Sequence, residues 1–334
     1  MERSKYWDSL KFVLIFLVVY AHILSPYKSD SQFNMSVYNF IYLFHMPLFI
    51  FISGRFAHIH DKNKYRHRTL QLLETYIVFQ VIFIAITFFT NRSLSISLLI
   101  KPYWISWYLL VLVYYRLMVY FISPKWFEHR KTILVLSICI SLAAGYLPFR
   151  YYLGIHRTLC FLPFFVLGYY STEISLRKPT GRISYVIAAG ILIALFAINV
   201  VTMKDVYSFV LHCPYKDWEA FHIICSTAYP AIRIMFILIA VIISIMVMRI
   251  VPANPRFAKW GTHTLFIYIF HAFALKLLFL LINRNYLPQN ELLLVVYTTI
   301  ITIGLLFLSQ YNFFYVLLNP FTYYRTSHSK SKGQ

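Results

Sequence analysis

Ten apolar runs recur along the chain, most of them near the length of roughly 20 residues that a helix needs to cross a bilayer. They lie near 8–25, 37–57, 70–90, 104–122, 132–149, 158–171, 183–201, 228–251, 262–282 and 292–317. A lone strand cannot satisfy its backbone in lipid, so these runs are read as helices. The expectation is an all-α integral membrane protein with about ten transmembrane helices in one bundle. One multi-span domain then covers 1–320, and the polar tail 321–334 is expected to be disordered. The sixth run is short and carries Pro163, which predicts a broken or tilted segment.

A soluble globular chain is excluded on composition. Apolar residues make up 60% and charged ones 13%, against roughly 45–50% and about 25% in soluble proteins. The formal charge of +20 invites a nucleic-acid reading. The basic residues, however, come in short clusters between spans, as cytoplasmic loops require. With the N-terminus inside, 19 of the 31 Lys and Arg fall on the cytoplasmic side and eight on the other. The remaining four lie within spans. This bias predicts cytoplasmic N- and C-termini in a cell membrane (plasma or inner), with membrane lipids as partners and no nucleic acid. No small-x-small site follows the first run, so it is read as a span and not as a cleaved leader. The longest outer connection is 202–227, which holds Cys213 and Cys225 and leaves open whether they pair in an oxidising compartment.

The first run, "WDSLKFVLIFLVVYAH", carries ionisable groups at both ends. Lys11 and His22 are eleven residues apart, three turns plus about 20°, so they share a helix face roughly 16 Å apart along the axis. Asp8 lies one turn before Lys11 on the same side. Such a face is too costly to turn toward lipid and must look into protein or a wet cavity. The bland alternatives are a structural hydrogen bond for His22 and snorkelling to the headgroups for Lys11.

In the second run His45 sits mid-span, and Pro47 leaves the carbonyl of Leu43 without its helical donor. Ser53 and Gly54 allow close helix approach. The loop "GRFAHIHDKNKYRHR" lacks a well-spaced ligand set despite His58, His60 and His67, so no metal is expected. Its Arg66 and Arg68 suit an anion funnel. Trp107 and Tyr108 suit either sugar stacking or an interfacial belt. Arg157, Arg233 and His271 stand at later polar positions, where holding a substrate anion and structural pairing both remain open.

The stretches "YWDSLKFVLIFLVVYAH", "YLFHMPLFIFISG", "WYLLVLVYYRL", "RTLCFLPFFVLGYY" and "GTHTLFIYIFHAFAL" together resemble membrane-bound acyltransferase family 3, in its fucose 4-O-acetylase-like branch. The resemblance covers nearly the whole chain. It implies transfer of an acyl group, often acetyl from acetyl-CoA as co-substrate, to a hydroxyl of a cell-surface glycan or a lipid-linked sugar. The family's first helix commonly carries Arg, ten residues, then an essential His. His22 matches that His, and Lys11 stands in place of the Arg, which keeps the charge but not the bidentate fork.

On this reading His22 and His45 are catalytic, and Lys11, Arg66 and Arg68 meet the CoA phosphates. Asp8, Trp107, Tyr108, Arg157 and His271 contact substrate. Direct transfer and an acyl-histidine intermediate both remain open. The rival reading is a transporter or flippase for a glycan or lipid-linked sugar that uses the histidines as a proton relay.

Overall fold

The computed structural model describes residues 5–91, 97–122, 124–148, 152–171, 181–202, 207–218, 226–281 and 290–309. Among them every regular element is helical. The principal helices are α1 (Lys5–Leu24), α2 (Gln32–Arg55), α3 (Lys62–Asn91), α4 (Trp107–Phe121), α5 (Arg130–Ala144) and α6 (Ile155–Tyr170). They continue with α7 (Gly181–Thr202), α8 (Tyr229–Ile250), the short α9 (Pro255–Gly261), α10 (Thr264–Leu281) and α11 (Glu291–Leu308). The tail 321–334 and Cys225 lie outside the described residues.

Seven of these helices are long and apolar enough to cross a membrane, or eight if the bent pair α9–α10 is one span. The chain is therefore a membrane protein, and about ten full spans exceed what the described helices supply. The shortfall has a physical cause. α5 has 15 residues and α6 has 16, about 22–24 Å at 1.5 Å per residue, against a hydrocarbon core of about 30 Å. The ninth run supplies α10, which counts as a span only together with α9, and these two helices meet at 64°. Pro163 does not break α6, which runs through it, and α2 likewise runs through Pro47.

Two compact units emerge: Met1–Ile41 with Val251–Gln334, and Tyr42–Ile250. In the first, α1 opens with Asp8 in its first turn, favourable to the helix dipole. It passes at Ser25 into a 3-10 helix (Ser25–Asp30), because Pro26 has no N–H to donate to the His22 carbonyl. α1 then packs on α9 at backbone distance. A Cβ on Gly261 would meet the carbonyl oxygen of Asp8, so only glycine fits there. Ser9 Oγ donates to the Asn254 carbonyl at 2.8 Å and accepts from its N–H at 3.1 Å, fixing the register.

The same Asn254 caps α9, its side-chain oxygen accepting from Arg256 N–H at 2.8 Å, with Pro255 at the first helical position. Asn254→Ala is expected to cost about 1 kcal/mol. That should appear as a thermal midpoint lower by a few degrees in detergent, with the Ser9 contact to the backbone kept.

In the second unit α2 and α6 cross where glycines interlock. A Cβ on Gly54 would strike the Phe165 carbonyl, and one on Gly168 the Phe51 carbonyl. The close approach expected at Gly54 is present, with Gly168 as its counterpart. Tyr115 of α4 stacks on Phe165 at 4.4 Å and donates to the Thr158 carbonyl at 2.7 Å. Arg116 pins α3, its Nε donating to Thr69 Oγ1 at 2.8 Å and its guanidinium lying 3.9 Å over the Tyr65 ring.

Candidate active site

α1 is helical without interruption from Lys5 to Leu24, so the predicted line of Asp8, Lys11 and His22 lies on one face. Asp8 and Lys11 form an ion pair at 2.6 Å. The carboxylate is buried, while the Lys11 side chain keeps 26% exposure. Lys11 thus compensates a buried anion and still presents N–H donors outward, since an ammonium has three. Phe12 and Phe16 turn instead to an apolar groove of about 410 Å³, lined also by Phe257, Trp260, Ile303 and Leu306. The ionisable face and the apolar face of this helix are therefore distinct.

His22 is half-buried in the last turn of α1. Its ring lies against that of His271, with centroids 5.5 Å apart and planes 26° apart. His271 is fully buried on α10, where its Nδ1 lies 3.0 Å from the Ile267 carbonyl. The Tyr268 ring stands edge-on at 5.7 Å. The first unit thus brings together two imidazoles that the sequence analysis placed in separate roles, His22 as catalyst and His271 as substrate contact.

In the second unit His45 is buried mid-helix on α2, with the Tyr42 ring edge-on at 4.8 Å. Tyr108 is buried on α4, its hydroxyl 3.1 Å from Ser53 Oγ, which in turn donates to the Phe49 carbonyl at 2.9 Å. Trp107 stacks on Phe161 at 5.7 Å with planes 18° apart, and Arg157 lies 4.5 Å from the Trp107 ring centroid. The guanidinium lies over the indole as a cation–π pair, so charge and aromatic rings meet in one cluster.

Arg66 and Arg68 are exposed on the first turns of α3. In the preceding loop His58 stacks on Tyr169 at 4.2 Å, and its Nε2 lies 3.0 Å from the Tyr169 carbonyl oxygen. Burial there lowers the His58 pKa, opposed by the Tyr169 hydrogen bond and aided by neighbouring His60 and Arg55. His58 therefore adds little to the positive charge of this segment at neutral pH. No group of three or more metal-ligating side chains occurs among the described residues.

Arg233 resolves toward structure. It is fully buried on α8, donating to the Ser141 carbonyl at 3.1 Å and to the Cys213 carbonyl. The rings of Tyr215 and Trp218 lie 4.4 and 5.4 Å away. Its two terminal nitrogens are engaged by carbonyls, which ties the 213–218 segment to α5, and its buried Nε has no partner among the described residues.

One contributor escaped the sequence reading. Gln80, buried on α3, donates to the Leu98 and Lys101 carbonyls and accepts from Tyr103 N–H and Ser106 Oγ. It thereby holds the turn that launches α4 and so positions Trp107. The only available signal was a polar residue inside the run "YIVFQVIFIAITFF".

Residues 4–311 match a family model described as Acyltransferase domain. No curated protein and no solved structure matches the chain.

Proposed function

The chain belongs to this acyltransferase family and is an acyltransferase of the membrane, and on that premise we propose that it moves an acetyl group from acetyl-CoA to a hydroxyl of a cell-surface glycan or its lipid-linked precursor. The finer assignment, to the fucose 4-O-acetylase-like branch, is part of the same proposal. The observation that carries it is the α1 face, where an Asp8–Lys11 pair precedes His22 on one line and His22 meets a second imidazole.

In the proposed reaction, His22 takes the proton of the acceptor hydroxyl as its oxygen attacks the thioester carbonyl carbon. The C–O bond forms, the C–S bond breaks, and the leaving thiolate recovers the proton from the imidazolium. An imidazole suits both transfers because its ordinary pKa lies near neutrality. Its place in the last turn of α1 favours the transient cation, since helix C-terminal carbonyls attract positive charge.

To Lys11, Arg66 and Arg68 the proposal gives attraction of the CoA phosphates from the cytoplasm. Lys11 acts there as a point charge. To Trp107, Tyr108 and Arg157 it gives recognition of the sugar, and to His45 orientation of the acceptor or help with its proton. The family membership favours this reading over a proton-coupled transporter.

Release of free coenzyme A thiol by purified protein supplies the test. It should rise with added carbohydrate acceptor and with acetyl-CoA, each saturably. Acceptor-dependent proton movement without thiol release would point to transport and sink the proposal.

A further inference from the structure

The His271 ring has one nitrogen whose role is fixed and one whose role is open. Nδ1 faces the Ile267 carbonyl at 3.0 Å, and a carbonyl only accepts, so Nδ1 carries the proton. In a neutral imidazole Nε2 is then a bare lone pair. That atom is buried and has no hydrogen-bond partner. A buried acceptor left unpaired costs free energy, which a bound donor would recover. The same ring lies 5.5 Å from His22, centroid to centroid, with planes only 26° apart.

Given the reading of His22 as base toward a hydroxyl, on which this inference rests, we infer that His271 Nε2 accepts a hydrogen bond from the hydroxyl adjacent to the one that His22 deprotonates. A single hydroxyl has one proton and serves one nitrogen. Two near-parallel imidazoles therefore call for two donors close together, and neighbouring hydroxyls on a sugar ring are such a pair. His271 is then a specificity-determining contact that selects acceptors with vicinal hydroxyls. Its fixed tautomer bars it from donating, so an ether or a carbonyl at that position gains nothing. The other N–H donors at hand are the amides of the pantetheine arm of acetyl-CoA, and the experiment separates these from the acceptor.

The test uses acetyl-CoA with a panel of methyl hexopyranosides and their monodeoxy analogues, on the full-length protein in detergent or liposomes. Wild-type protein should lose about tenfold in kcat/KM when the hydroxyl beside the acetylated one is removed. His271→Phe keeps a ring against His22 and Tyr268 but removes the lone pair. It should raise the acceptor KM by about tenfold, leave the acetyl-CoA KM unchanged, and erase the difference between the diol and its deoxy analogue. His271→Gln, whose amide oxygen restores an acceptor, should recover part of that difference. Should His271→Phe fail to fold, the wild-type deoxy series and His271→Gln still decide.

A deoxy penalty that survives in His271→Phe overturns the inference, as does a rise confined to the acetyl-CoA KM, which would assign Nε2 to the donor. Wild-type protein inactive on every pyranoside would instead remove the hydroxyl-acceptor reading itself, and the inference with it. That failure is recognisable because it appears with His271 intact.

Discussion

His22→Ala is expected to lower acyl transfer by about 10²–10⁴-fold, the contribution of a well-placed general base. The protein should still insert and keep its thermal midpoint within a degree or two. His22 is half-buried and meets His271 by ring contact, so truncation removes a reactive group without breaking the α1–α9 clamp. That clamp rests on Ser9, Asn254 and Gly261, two turns or more away along the chain. The loss should fall on kcat more than on either KM, because proton removal matters in the transition state and little in the ground state. His22→Gln should not rescue it, since an amide cannot take the proton. Residual activity within tenfold of wild type, in protein of normal stability, would take the base role away from His22.

Lys11→Gln is expected to raise the KM for acetyl-CoA by about ten- to a hundredfold and to leave the acceptor KM alone. One charge-assisted hydrogen bond to a phosphate is worth roughly 1.5–3 kcal/mol. Lys11→Arg should keep much of the activity, because the charge survives although the guanidinium fork differs from an ammonium. The Asp8 pair complicates the reading and supplies a control. Asp8 is buried, with the Lys11 ammonium 2.6 Å from it, so part of any Lys11 defect is a carboxylate deprived of a partner. Asp8→Asn leaves the cation in place and should cost less than tenfold in the acetyl-CoA KM. If Asp8→Asn reproduces the whole Lys11→Gln defect, the lysine serves the carboxylate and not the cofactor. Snorkelling alone would leave the acetyl-CoA KM of Lys11→Gln unchanged.

What the sequence made legible was local. The 3.6-residue period put Asp8, Lys11 and His22 on one face, and the i,i+3 spacing of Asp8 and Lys11 is the spacing of their ion pair. Gly54 advertised a close crossing, because a glycine beside Ser53 in an apolar helix has few other uses. The long-range partners were not legible. His22 and His271 stand on the first and tenth helices, and no periodicity within either run sets the rotation that brings their rings together. Arg233 stayed ambiguous because its partners are backbone carbonyls of Ser141 and Cys213, which every residue carries and no pattern marks.

The described helices supply fewer full spans than the apolar runs suggest for a related reason. Apolar runs at 132–149 and 158–171 register as hydrophobic length, but helix length is set by local backbone stops. α5 gives way to turns at Gly145, and α6 cannot begin before the left-handed Gly154. Likewise the run at 262–282 matches α10 alone and gave no sign of the short helix α9 before it, set off by the break at Thr262 and His263.

The most direct measurement follows the acyl group itself. Purified protein in liposomes is given acetyl-CoA labelled in the acetyl carbon together with a carbohydrate acceptor, and the label is traced after one turnover. The account predicts label in an alkali-labile ester on a hydroxyl of the acceptor, formed by wild-type protein and by Lys11→Arg but not by His22→Ala. Label that remains in acetyl-CoA with wild-type protein, or an ester that forms equally well in His22→Ala, would contradict it.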